Sequence, residues 1–344
     1  MPLDPSRYVQ LGTVECYRIL SGMWQLSSSA WGKYPNQDEI VKSMREYYEA
    51  GFTTMDMADH YGPSETLYRR FLQNLAAHPG PSGLPPPRGF TKWVPSPGPM
   101  GRKEVERAVR ERMERMGVRC LDMIQFHWWD YSDKRYLEAL RHFKSLKEEG
   151  LIREVALTNF DTQRLKEILD AGIPIVSNQV QFSLVDRRPE LRMAELCRAT
   201  GVKLLTYGTL CGGLISPSYL GQANSPPAPS LTPSQRKYMQ MIQTWGGWSK
   251  FQGLLKVLDE VAQEKRNQGL EADLSSVAVR WALDKDFVGG VIVGVRFGIT
   301  SHISSNKAPF HISLTETDRD RIERAAGTGE RLLQVIGDCG DEYR

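Results

Sequence analysis

Cysteine is scarce and unpatterned in this chain. Five occur in 344 residues, Cys16, Cys120, Cys197, Cys211 and Cys339. The number is odd, and neither a C-x-x-C pair nor a Cys/His ligand spacing occurs. Neither a disulfide framework nor a metal site is expected, and the pattern points to a reducing compartment. Long apolar runs are missing too. Nothing approaches the ~18 consecutive apolar residues of a membrane-spanning helix, and Met1–Gln10 lacks a charged-then-apolar leader pattern. An N-x-[ST] acceptor is absent as well, so a cytoplasmic protein away from membranes is the expectation. Charge of one sign is not in excess: the net charge is +3, with basic and acidic residues interspersed. No basic face for nucleic acid is implied. Finally, neither G-x-G-x-x-G nor a Walker A motif is present, which removes the usual signals of a doubly wound nucleotide-binding sheet and of a P-loop.

What remains is an ordinary globular composition, 40% hydrophobic and 25% charged, with material for a large core. Short apolar runs alternate with amphipathic stretches. The strand candidates are Ile19–Met23, Phe52–Asp56, Phe90–Val94, Leu121–Phe126, Glu154–Leu157, Ile175–Val180, Lys203–Tyr207 and Gly290–Val293. Between them, 101–116 places Val105, Val109, Met113 and Met116 on one helical face. Residues 134–149 are capped by Ser132 or Asp133 and stopped by Gly150, and 189–200 opens on Pro189 and ends before Gly201. Eight strand–helix units predict a parallel (β/α)₈ barrel, the TIM architecture, as one domain over 1–344. A hairpin around Thr13–Arg18 would cap it. Ala77–Gly89 reads as a stiff, proline-rich excursion. Leu210–Ser249, after the seventh strand, reads as a long mobile loop over the barrel mouth, anchored by Trp245 and Trp248.

Active sites of such barrels form at the C-terminal strand ends, so polar residues there converge whatever their separation in sequence. The second strand delivers Asp56 and, just beyond it, Tyr61. The third delivers Lys92, a lysine inside an apolar strand that needs a buried partner, with Asp56 the neighbouring candidate. The fourth delivers His127, the fifth Thr158 and Asn159, the sixth Asn178 and Gln179, and the seventh Tyr207. This set suits carbonyl reduction. A phenol titrates near ~10, and an ammonium held by a carboxylate is expected to lower that value and make Tyr61 a better acid. His127 would hydrogen-bond the substrate oxygen. Asn159 and Gln179 suit a nicotinamide carboxamide and Tyr207 its ring, with the hydride coming from the cofactor.

Taken together, GFTTMDMADHYG, FTKWV, LDMIQFHWWD, ALTNF and NQVQFSLVDRRPE resemble the aldo-keto reductases, in order and spacing, from about Leu20 to Asn306. The long loop after the seventh strand is similar to the branch of bacterial and fungal reductases and potassium-channel β-subunits. The resemblance implies a barrel that binds NADPH in extended form without a Rossmann fingerprint. Asp56, Tyr61, Lys92 and His127 then fall on the family's catalytic tetrad, and Thr158, Asn159, Gln179 and Tyr207 on its nicotinamide contacts. Gly208, where serine is common, and Leu210 follow on the cofactor side. Gly294, Arg296, His302 and Asn306 fall at the pyrophosphate and adenosine end. About two residues are inserted after Arg296, and His302 and Ser305 stand where a basic or Gln residue and a Glu are often seen.

Plainer readings exist for each. Asp56 and Asp59 could cap the following helix, and the tryptophans could be core. Trp24, Trp93 and Trp128 are the candidates for substrate contact. Arg187 and Arg188 read as the solvated start of a helix. Three functions follow: reduction of an aldehyde or ketone by NADPH, oxidation of an alcohol or sugar by the same site, or a redox-sensing regulatory subunit with little turnover. A barrel enzyme acting on a phosphate-bearing substrate is a further alternative.

Overall fold

A computed structural model describes residues 5–27 and 35–344. Ten strands follow in order: β1 (Tyr8–Leu11), β2 (Val14–Tyr17), β3 (Ile19–Gly22), β4 (Thr54–Asp56), β5 (Arg88–Trp93), β6 (Leu121–His127), β7 (Ile152–Thr158), β8 (Ser177–Gln181), β9 (Lys203–Tyr207) and β10 (Val288–Gly294). The first two form an antiparallel hairpin with Val9 opposite Cys16. Its turn uses Gly12 at φ +60°, a left-handed position where a side chain would also strike the Glu154 carboxylate. The other eight are parallel and close on themselves in the order β10-β3-β4-β5-β6-β7-β8-β9. This is the expected (β/α)₈ barrel with its N-terminal hairpin.

Strand periodicity explains the interior. Side chains alternate faces, and one buried cluster joins Leu20, Phe90, Met123, Ala156, Leu205 and Ile292 from six barrel strands with Leu11, Val14 and Cys16 of the hairpin. The hairpin therefore plugs the N-terminal end of the barrel. Two residues further along four of these strands, on the same inward face, stand Lys92, Gln125, Thr158 and Tyr207, with His127 two beyond Gln125. The outward positions Trp93, Phe126 and Leu157 join the larger core beneath the helices. Each fully buried aromatic or aliphatic side chain in these layers contributes about 1.5–3 kcal/mol.

The helices depart from expectation in two places. The stretch 189–200 divides at Arg192 into Arg188–Leu191 and Met193–Thr200. The segment after β9 is not a mobile loop: short 3₁₀ turns lead into helices Pro233–Trp245 and Gly247–Asn267. Thr232 and Gln235 cap the first of these reciprocally, with Pro233 in its first turn. Trp245 and Trp248 are buried, and their indole N–H groups donate to Ala326 O at 2.9 Å and Gln222 O at 2.8 Å. Among the described residues no helix is long and apolar enough to cross a membrane.

Candidate active site

Asp56 ends β4 and is 2% exposed. Its carboxylate accepts two bonds from Lys92 Nζ, at 2.7 and 2.6 Å, one from Gln125 Nε2 at 2.9 Å and one from Gln179 Nε2 at 2.8 Å. Lys92 also donates to Met57 O at 3.1 Å. A buried ion pair is tolerable only when so fully satisfied, because desolvation costs several kcal/mol per ion. Burial draws the Lys92 ammonium below its usual pKa, with Asp56 opposing that shift.

Tyr61 lies between β4 and helix Ser64–Ala77, with Lys92 Nζ 5.1 Å from its ring centroid. The expectation of a net lowering of the phenol's pKa is corrected here. Burial first, then Asp56, Tyr343 and Asp59, holds Tyr61 well above the ordinary value. The Lys92 protons are directed at Asp56 and Met57 O, not at the phenol. Asp59 does not cap the helix either. It accepts from Arg112, from the Val94 N–H at 3.1 Å, and lies 3.0 Å from His60 Nδ1, which fastens the Tyr61 loop to the end of β5.

His127 ends β6 and is 3% exposed. A relay orients it: Tyr207 Oη donates to Asn159 Oδ1 at 2.8 Å, and Asn159 Nδ2 faces His127 Nδ1 at 3.4 Å. In the tautomer where that amide donates, Nδ1 accepts and Nε2 carries the ring proton. Nε2 is buried without a protein partner. Burial, reinforced by the charges of Arg344 and His60, pulls the imidazole pKa down to about 3. The ring is therefore a neutral hydrogen-bond donor.

The residues expected around a nicotinamide gather at the same strand ends. Thr158 Oγ1 is buried without a partner. Asn159 takes φ +59° just past β7, while the Gln179 amide is turned down onto Asp56 and Gln125 Oε1, the latter at 2.7 Å. Lys237 Nζ stands 5.1 Å from the Tyr207 ring centroid. Gly208 has φ +73°, and a Cβ there would collide with the Tyr238 hydroxyl, which accounts for glycine at that position. Leu210 is half-buried and its carbonyl accepts from the Gly213 and Ile215 N–H groups at 2.9 and 3.1 Å. The adenosine-side candidates lie on and after the end of β10, the strand paired with β9. Gly294 approaches the Gln25 amide so closely that a Cβ would overlap it. Arg296 is half-buried, His302 is exposed with its N–H on Tyr47 Oη at 2.9 Å, and Asn306 is buried on the short helix Ile303–Lys307.

The tryptophan assignments divide. Trp24 is 36% exposed in a 3₁₀ turn following β3. Trp93 faces outward, packing on Phe126 and on Phe143 of an outer helix at 5.7 and 5.8 Å. Trp128 is buried beside Phe126 and Tyr136, and its indole donates to Asp130 O and Asp133 O. Neither therefore lines the mouth. Trp129 does: it is 43% exposed and meets the His127 ring edge-on at 4.3 Å. Alternation from the inward Lys92 and His127 accounts for all three.

Three further features were not read from the sequence. Gln125 bridges Asp56 and Gln179, and its position two residues before His127 was the signal for it. Arg188 is no solvated residue but is 1% exposed, held by Asp186 at 2.9 and 2.7 Å and by Glu342 at 3.0 Å. The segment containing Glu342 reaches the site as well, with Glu342 Oε1 3.2 Å from Tyr207 Oη. Among the described residues no group of three or more His, Cys, Asp or Glu is arranged to hold a metal.

Comparison with known proteins accords with this geometry. Residues 18–326 match the aldo/keto reductase family. The chloroplastic pyridoxal reductase of Arabidopsis thaliana is 25% identical over 337 residues, covering 94% of this chain and 86% of the relative. The glycerol dehydrogenase structure from Gluconobacter oxydans superposes with a TM-score of 0.75 at 21% identity, covering 97% of each chain. An aldo-keto reductase from Bombyx mori in complex with NADP gives 0.66 at 18% identity, covering 92% of each. The chain is an oxidoreductase of the aldo/keto reductase family.

Proposed function

We propose that this protein reduces an aldehyde or ketone to the alcohol with NADPH, and that Tyr61 supplies the proton. The observation that carries this reading is the buried Nε2 of His127, a donor without a protein partner beside a neutral phenol and the Asp56–Lys92 pair. A carbonyl oxygen accepts from both donors. As charge builds on that oxygen, His127 holds it and Tyr61 transfers its proton, since an alkoxide is a far stronger base than a phenolate. Lys92 stabilises the phenolate left behind, which regains its proton from solvent. The dinucleotide, when bound, supplies the hydride to the carbonyl carbon.

The residues present suit such a cofactor. Thr158 offers an unpartnered buried hydroxyl, Asn159 an amide and Tyr207 a ring for the nicotinamide, and Gln179 keeps its carbonyl oxygen for the carboxamide while Asp56 and Gln125 hold its N–H groups. Gly208 and Leu210 follow on the same side, and Gly294, Arg296, His302 and Asn306 would serve the phosphates and adenosine. Alcohol oxidation at the same site would pass through the same Tyr61 phenolate in reverse. Exposed Trp129 and Trp24 favour a planar aromatic aldehyde, the kind named for the Arabidopsis relative.

The test is consumption of NADPH and of NADH with aromatic aldehydes, pyridoxal among them, aliphatic aldehydes, diketones and aldoses. At least one aldehyde should be reduced. Tight cofactor binding with no carbonyl reduced would overturn the enzymatic reading in favour of a redox-sensing subunit. Arg296→Ala should weaken NADPH much more than NADH, and equal weakening would transfer the 2′-phosphate role to His302 or Lys307.

A further inference from the structure

The segment Gly337–Arg344 is packed into the strand-end site and is held there by charged groups from several elements. Arg188 Nη1 donates to Gly337 O at 3.3 Å and Asp338 O at 2.9 Å, and Nη2 to the Glu342 carboxylate at 3.0 Å. The other Glu342 oxygen lies 3.2 Å from Tyr207 Oη and shares its one proton with Asn159 Oδ1. Lys237 donates to the Tyr343 hydroxyl, with Nζ 4.4 Å from that ring's centroid and 5.1 Å from that of Tyr207. The Tyr343 ring lies 6.1 Å from His127, edge to face. Arg344 donates to Asn159 O at 2.8 Å and Trp128 O at 2.9 Å. Gly340, at φ +86°, lies so close to Asn159 O that a Cβ would overlap it, so any side chain at 340 would push the segment off the site.

Asn159 and Tyr207 are also the residues assigned above to the nicotinamide, and the inference rests on that assignment. We propose that Gly337–Arg344 and the nicotinamide half of the dinucleotide compete for one seat, made by Asn159, Tyr207 and Lys237, so that the segment withdraws when the cofactor binds. The seat is built for such an exchange. Its partners for the segment are a guanidinium, an ammonium and a tyrosine ring. The guanidinium keeps Asp186 when Glu342 leaves, so no buried cation is stranded. The ammonium, once free of Tyr343, faces an anionic dinucleotide beside the Tyr207 ring. A ligand that binds only the open form has its affinity reduced by the fraction of molecules that are open. The strength of the Arg188–Glu342 and Lys237–Tyr343 contacts therefore sets the apparent cofactor affinity.

Two measurements on the whole 344-residue chain test this. In hydrogen exchange, NADPH should speed the amides of Gly340, Tyr343 and Arg344, whose acceptors lie within the segment, while slowing those at Asn159 and Tyr207. In titrations of nicotinamide fluorescence, Glu342→Gln combined with Tyr343→Ala should tighten NADPH by about tenfold and raise the binding rate, with Glu342→Gln alone falling between. Slowed or unchanged exchange in 338–344 with NADPH bound would make the segment a fixed wall of the pocket and overturn the proposal. So would unaltered or weaker affinity in both variants. Tyr207→Ala separates the two readings. If it weakens NADPH while the segment variants change nothing, competition alone fails. If it leaves NADPH untouched, the nicotinamide assignment fails and takes the shared seat with it.

Discussion

Lys92→Met should separate what the buried ion pair does for stability from what it does for the reaction. Lys92 Nζ and the Asp56 carboxylate are 2.6 Å apart, at 2% and 3% side-chain exposure. Removing the cation strands a buried carboxylate with only Gln125 and Gln179 as donors, a loss of about 3–5 kcal/mol. The same ammonium stands 5.1 Å from the Tyr61 ring centroid. Taking that centroid as the centre of a delocalised phenolate charge and an effective dielectric constant of ~20, it stabilises the phenolate by about 3 kcal/mol. In rate this is roughly two hundredfold. Asp56→Asn added to Lys92→Met removes both charges and leaves an amide oxygen for the two glutamines. Urea denaturation should then recover to within about 2 kcal/mol of the parent, while single-turnover reduction recovers only in part, because the removed carboxylate had opposed the phenolate. Turnover recovering in full alongside stability would refute the role given to Lys92, and so would a single variant as stable as the parent.

Acid should expose His127. Its folded pKa of about 3 lies below the ordinary 6.5, so the unfolded chain takes up the proton first. The stability contributed by neutral His127 is complete above about pH 6.5 and is lost as pH falls towards about 3, at about 1.4 kcal/mol per pH unit. His127→Gln should flatten that slope in urea melts taken between about pH 7 and 4, and superimposable slopes would contradict the burial argument. Gln125→Leu removes one donor from the Asp56 carboxylate and one acceptor from Gln179. Leucine packing offsets part of this, leaving a net cost of about 1 kcal/mol. A larger fall in turnover than in stability would mark Gln125 as a residue that positions Asp56, and a loss of stability alone would make it a plain core residue.

The barrel was legible because parallel strands buried on both faces read as short apolar runs, and eight of them alternate with amphipathic stretches. The site was legible wherever a polar residue interrupts such a run, as Lys92 does. Facing is legible too, from the alternation of side chains along each strand. An inward Lys92 sends Trp93 outward, and an inward His127 sends Trp128 outward and leaves Trp129 at the mouth. The helix after β9 carried its signal in Thr232, Pro233 and Gln235, hidden by the proline-rich stretch before it. Burial of Arg188 was not legible. It depends on residues beyond position 336, and no local pattern encodes an ion pair between Arg188 and Glu342.

Tyr61→Phe tests the central claim most directly. The variant removes one oxygen and leaves the ring, the Asp56–Lys92 pair and the strand ends in place. Reduction of the best aldehyde should fall by about 10²–10⁴-fold, with NADPH affinity within about twofold of the parent. A variant that keeps turnover within about tenfold of the parent, or loses cofactor binding in step with rate, would contradict Tyr61 as the proton donor.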